Sequence, residues 1–281
     1  MSVEIATETM PETTAVENWK PAMPPNDLIF DDGEPLETNR HRIAMNLLIR
    51  SLQQAWCDRN DFFTGGNMFV YFSIEQVRNK DFRGPDFFVV LDVDGNKERQ
   101  GWVVWEEGGR YPDVIVELMS PSTAEIDKGF KKNLYERVFR TRNYFVFNPF
   151  NPNSLEGWQL DPNFHYQPLA PNEQGWLWCE ALGFWLGTWQ GTIDRDSTMW
   201  LRFYDTQGNL VLLPEEAAQQ QAQAAQQQAE AAQQQAETAQ QQAQAAQQQA
   251  QAAQQQAESE RQRAERLAAR LRELGVDADS L

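Results

Sequence analysis

Glu117 stands in the run Val114-Ile115-Val116-Glu117-Leu118-Met119, a carboxylate among residues that belong at the centre of a sheet. An ionised group there is costly unless it is paired or bound to a metal. Asp86 occupies a similar place in Gly84-Pro85-Asp86-Phe87-Phe88-Val89-Val90. Two apolar strands thus each offer one carboxylate, and together they suit a hard divalent cation. Asp127, Lys131 and Tyr135 follow four residues apart, which stacks them along one edge of a helix. A lysine beside two metal-holding carboxylates suits phosphodiester hydrolysis, because it orients or helps deprotonate the attacking water and offsets developing negative charge. Each residue alone has a plainer reading. Asp113 fits the role of a strand-opening acid after Pro112, and an isolated Asp127 to Lys131 pair is an ordinary surface contact worth about 0.3 to 0.5 kcal/mol.

The elements that must position these groups are legible in outline. HRIAMNLLIRSLQQAW (41–56) places Ile43, Leu47, Leu52 and Trp56 near helical spacing after Asn39 and predicts an amphipathic first helix. A turn at Thr64-Gly65-Gly66-Asn67 precedes four strand-like runs at 68–75, 85–93, 101–108 and 112–120. Ser120-Pro121-Ser122-Thr123 offers helix-entry chemistry for a second helix over 124–139, with Phe130, Leu134 and Val138 as the stripe that faces the sheet. The strand NYFVFNP closes this unit. Helix, strands, helix, strand is an α/β order with a mixed, buried central sheet. From about residue 151 to 213, short aromatic segments alternate with turns and predict a β-rich extension, whose six Trp residues read as core filler rather than a stacking platform.

Composition divides the chain near residue 213. All ten Trp, six Tyr and sixteen Phe lie before it, so that part can bury a substantial core. The formal net charge of -17 is concentrated at the two ends. Positions 1–38 hold nine acids against Lys20 alone, 214–281 hold ten acids against five Arg, and the centre is nearly balanced at 22 acids and 18 bases. Lys128, Lys131, Lys132, Arg137, Arg140 and Arg142 form a local basic cluster that leaves room for a phosphate-bearing substrate. Cys57 and Cys179 are isolated, as are His41 and His165, which excludes a Cys/His zinc site and argues against a disulfide framework. The absence of a signal-like or membrane-spanning apolar run leads us to expect a cytoplasmic protein with no membrane partner.

The polar, Pro-rich first 27 residues read as a flexible acidic leader. From Ala217, six seven-residue units of the type AAQQQA(Q/E) run to Glu258 and pass into SERQRAERLAARLREL. Ala alternates three and four apart along them and continues in register to Ala264, Leu267, Leu271 and Leu274, a coiled-coil seam. We therefore expect a coiled coil over 214–275, homo-oligomeric, with a short tail at 276–281. A solitary solvated helix is the alternative.

PDVIVELMSPSTAEIDKGFKKNLYERVFRTRNYFVFNP resembles a bacterial family of restriction-endonuclease-like proteins, first described as a domain of unknown function, within the PD-(D/E)XK nuclease superfamily. Asp113, Glu117, Ser120, Pro121, Ser122, Asp127, Lys131, Tyr135, Tyr144 and Pro149 match the family pattern, and DDGEPLETNRHR and GPDFF look like family segments upstream. The likeness covers about residues 28–213. It implies a restriction endonuclease-like core, a mixed central sheet flanked by helices, and a Mg²⁺- or Mn²⁺-dependent endonuclease acting on DNA. Asp86 and Glu117 would be the metal ligands, with Lys131 the catalytic lysine. Met119 stands where the superfamily's E-x-K strand carries Lys, so the lysine function moves to the helix. Glu37 aligns with an acidic position that would complete the metal site, while His41 reads as a polar helix residue. A nuclease-like scaffold without activity, assembling through its coiled coil, is the competing expectation, supported by the acidic net charge and the lack of a DNA-reading module.

Overall fold

The computed structural model describes residues 38–79 and 84–273, together with Leu28. The predicted leader, Glu37 and the segment after Glu273 lie outside the described residues. The chain divides into two compact units between Leu213 and Pro214.

The first unit is a mixed α/β structure. Helix α1 (Asn39–Ala55) is capped by Thr38, whose hydroxyl accepts the His41 backbone N–H. A six-stranded sheet follows in the order β1-β3-β5-β6-β7-β8, made of β1 (Phe62–Gly65), β3 (Phe87–Leu91), β5 (Val114–Leu118), β6 (Asn143–Asn148), β7 (Asn151–Leu160) and β8 (Tyr166–Pro168). Only β5 and β6 pair in parallel within it; the other neighbours are antiparallel. A parallel pair needs a crossover, and here it is the helical rod α3, which runs without a break through Ala124–Ile126, Asp127–Lys131, Lys132–Leu134 and Tyr135–Phe139. The β-rich extension supplies β7 and β8 to this sheet and a second sheet of β9 (Leu177–Cys179), β10 (Phe184–Ile193) and β11 (Asp196–Tyr204).

Alternate strand residues point to opposite faces. Phe87, Val89, Val116, Leu118, Phe145 and Phe147 meet Ile43, Leu47, Leu48 and Leu52 of α1, with Leu186, Trp200 and Phe203 of the second sheet. Phe88, Val90, Ile115, Tyr144 and Val146 form the other cluster with Trp102, Tyr135, Phe139, Trp158 and Tyr166. Of the six Trp residues of the extension, Trp158 and Trp200 are buried in the core, while Trp176, Trp178, Trp185 and Trp189 are half-buried.

Three local expectations are corrected. Residues 62–65 form β1, not the start of a turn. The run 68–75 keeps only β2 (Val70–Tyr71) as strand, paired with β4 (Trp102–Val103), before α2 (Ile74–Asn79) begins. The predicted stripe on α3 packs inward only at Leu134: Phe130 and Val138 are 54% and 43% exposed, while Asp127, Tyr135 and Phe139 are buried. The buried edge is polar because each polar group on it finds a partner there.

The second unit is α4 (Pro214–Glu273), a single helix with no buried residue among those described. Pro214 at the first position, Glu215 and Glu216 in the first turn and the Ala content all favour it. Gln226 and Gln233 donate to Glu230 and Glu237 one turn on, and Arg261 pairs with Glu265. At about 1.5 Å per residue the helix is about 90 Å long. Among the described residues no helix is long and apolar enough to cross a membrane.

Candidate active site

Glu117 is the fourth residue of β5 and is fully buried on the face covered by α3. Asp86 immediately precedes β3. The antiparallel register that pairs Phe87 with Val116 carries on one step to set Asp86 opposite Glu117. Asp86 Oδ2 accepts the Leu118 N–H at 2.7 Å, which fastens this acid to the neighbouring strand. Burial first, then the charge of Glu117, push the Asp86 carboxyl well above its usual range, against the Leu118 N–H and Lys131, which favour its charge. The two carboxyls therefore share a site in which both ionise only at a cost.

Helix α3 lays Lys131 across this pair. Its ammonium lies 3.0 Å from Glu117 Oε2 and 2.9 Å from Asp127 Oδ1, with its side chain 20% exposed. Burial works against the lysine charge, but Glu117, Asp127 and Asp86 outweigh it and raise the pKa of Lys131. The acids around it thus favour its ammonium form. Tyr135 donates from its hydroxyl to Glu117 Oε1 at 2.7 Å, and Tyr144 of β6 donates to the Asp127 carbonyl at 2.9 Å. Burial holds both phenols well above their usual range, Glu117 adding to it, so they remain neutral donors.

The helix reaches this register by unusual winding. Asp127–Lys131 and Tyr135–Phe139 are π-helical, with Lys132 and Arg140 donating five residues back to the Asp127 and Tyr135 carbonyls. An α-helix advances about 100° per residue, so residues four apart drift by about 40°. The wider π turns, which recur at functional sites, take up that drift and hold Asp127, Lys131 and Tyr135 against the same two strands.

The structure thus brings Asp86, Glu117 and Lys131 together. Glu37 is outside the described residues, and among those described no group of three or more His, Cys, Asp or Glu forms a metal cluster. The donor chemistry nevertheless fits a hard cation: Asp86, Glu117 and Asp127 face one ammonium, leaving surplus negative charge, and Mg²⁺ is commonly held by one or two carboxylates with waters and substrate phosphate completing its shell. Asp113 lies apart, accepting the Leu91 N–H and pairing with Arg142. His41 contacts Thr38 Oγ1 through Nδ1 at 2.8 Å. Of the basic cluster, Lys128 pairs with Glu156, Lys132 lies over Trp158, and Arg140 lies over Phe164. Sequence reasoning placed Tyr135 on the correct edge but did not identify its contact. The observed pairing of β5 with β6 puts Tyr144 beside Ile115 and Val146 beside Glu117, so the Tyr144 hydroxyl falls on the acid's own face.

Residues 19–190, more than half of the chain, match the family model Uma2, described as "Putative restriction endonuclease". The chain belongs to the Uma2 family. Among solved structures it is similar to a "putative nuclease belonging to DUF820 from Anabaena variabilis ATCC 29413", with 11% identity and a TM-score of 0.38, over 53% of this chain and 76% of that one. No curated protein matches it. The residues singled out in this Uma2 chain, Asp86, Glu117 and Lys131, all fall inside the matched segment.

Proposed function

We propose that this Uma2 protein is a divalent-metal-dependent endonuclease that hydrolyses DNA phosphodiester bonds, using Mg²⁺ or Mn²⁺. The observation that carries the reading is the convergence of Asp86, Glu117 and Lys131 from two strands and one helix, in a pocket with more negative than positive charge. Asp86 and Glu117 would hold the cation, and Glu37 is a candidate third ligand. A cation so held supplies Lewis-acid polarisation of the phosphodiester and offsets its charge.

The chain's own groups do the rest. Lys131, kept charged by its three acidic neighbours, acts as a charge stabiliser and water-orienting donor rather than as a base. Asp127 restrains it, and Tyr144 braces the Asp127 carbonyl. In the reaction the water oxygen forms a bond to phosphorus, the bond from phosphorus to the leaving sugar oxygen breaks, and the proton lost by water balances the one gained by the leaving oxygen.

Cleavage of plasmid and short duplex DNA tests the reading. Wild type should cut with Mg²⁺ or Mn²⁺, and EDTA, Asp86→Ala, Glu117→Ala and Lys131→Ala should each abolish cutting. Cleavage that survives these substitutions, or none by wild type, would overturn it.

The second copy of the chain is the partner we assign to α4. A 60-residue helix with nothing buried and a heptad Ala seam ending in Leu fits a coiled coil. Light scattering should show the full chain as an oligomer and a chain ending at Leu213 as a smaller species; equal stoichiometry in both would remove this assignment.

A further inference from the structure

Glu117 is held from both sides. Tyr135 occupies one oxygen at 2.7 Å and Lys131 the other at 3.0 Å. Each carboxylate oxygen has two lone-pair directions, and beyond Tyr135 and Lys131 the Glu117 carboxyl also meets that of Asp86. The Tyr135 ring has no room to turn away: it is fully buried, edge-on to Tyr144 at 5.2 Å and against Phe139 at 5.2 Å. The π turn that begins at Tyr135 fixes the backbone behind it.

We infer that Tyr135 is a positioning residue for the metal site, its hydroxyl locking the Glu117 carboxylate in the one rotamer that aims the remaining lone pairs toward Asp86. This rests on the proposed metal-binding role of Asp86 and Glu117. Without the hydroxyl, the terminal torsion of Glu117, which is intrinsically soft, keeps only Lys131 and the neighbouring Asp86 carboxyl as restraints. A ligand free to rotate must be ordered when the cation binds, and partners of metal ligands typically govern about ten- to a hundredfold in affinity.

The test is Mn²⁺ binding to the full chain, read from the electron paramagnetic resonance of free Mn²⁺, for wild type, Tyr135→Phe, Glu117→Gln and the double variant. Tyr135→Phe should weaken binding about ten- to a hundredfold with its circular dichroism retained, and should change nothing further in the Glu117→Gln background. Leu48→Ala, which loosens the fold from the opposite face of the sheet without touching Tyr135 or Glu117, should keep wild-type affinity. Equal affinity of wild type and Tyr135→Phe overturns the assignment while leaving the metal site standing. An equal loss with and without Glu117, or the same loss in Leu48→Ala, also overturns it, since the effect would then be general destabilisation. Absence of Mn²⁺ binding by wild type overturns the metal site itself and the assignment with it.

Discussion

The two faces of the central sheet are cut from the same strands, yet they differ in kind. Toward α1 and the second sheet, Phe87, Val89, Val116, Leu118, Phe145 and Phe147 meet aliphatic and aromatic partners. Toward α3, the alternate residues include Glu117 and Tyr144, met by Tyr135, Asp127 and Lys131. A one-residue alternation therefore separates a face that stabilises the fold from one that accepts the cost of burying charge. Groups that are expensive to bury and nonetheless mutually satisfied make the α3 face the candidate site.

The largest expected effect breaks the α3 face alone. Glu117→Gln, isosteric but with a weakened hold on the cation, should lower DNA cleavage about a hundred- to a thousandfold while thermal unfolding shows a folded chain. Next, Leu48→Ala on the α1 face, at a position with no exposure, should cost about 2 to 5 kcal/mol in urea unfolding.

Asp86→Asn sharpens the comparison further by separating stability from function. Because the folded-state pKa of Asp86 is raised, the folded chain holds its proton more tightly than the unfolded chain does. Stability is thus lost as pH rises from the ordinary aspartate value, near 4, through the raised one, and the loss then stays constant. Asp86→Asn should be inactive yet about 1 kcal/mol more stable at neutral pH. That advantage should shrink toward pH 4 in unfolding curves.

The smallest effect tests the apolar face chemically. Cys57 is exposed, whereas burial pushes the Cys179 thiol up to about 12. Iodoacetamide at pH 8 should label one thiol in the native chain and both in urea, by intact mass.

The sheet centre was legible because apolar runs such as Val114–Leu118 are buried on both sides, and the acids stood out against them. Which strand edges meet was not legible: Asp86 opposes Glu117 only through an antiparallel register that no local signal encodes. Thr64-Gly65-Gly66-Asn67 reads as a turn, yet Thr64 and Gly65 end a strand, with Gly65 pressed against Phe88, whose ring a Cβ would approach to 2.2 Å. The start of α2 carried a signal in Ser73 and Gln76, whose backbone N–H donates to the Ser73 hydroxyl at 3.1 Å. The orientation of α3 is half legible: spacing puts Asp127, Lys131 and Tyr135 on one edge toward the site, but it also assigns Phe130 and Val138 to the sheet, and these turn to solvent. The row at 127, 131 and 135 faces the sheet because its charges and hydroxyls satisfy one another, and the π turns that keep it aligned leave no mark in residue type.

The central claim is that chemistry resides on the α3 face and stability on the α1 face. Single-turnover cleavage of a duplex by Lys131→Met and by Leu48→Ala, at a temperature where both are folded, tests it most directly. The account predicts that Leu48→Ala cuts at the wild-type rate although it is the less stable variant, and that Lys131→Met, folded and stable, loses about a hundred- to a thousandfold. Cleavage by Lys131→Met at the wild-type rate, or an equal loss in both, would contradict it.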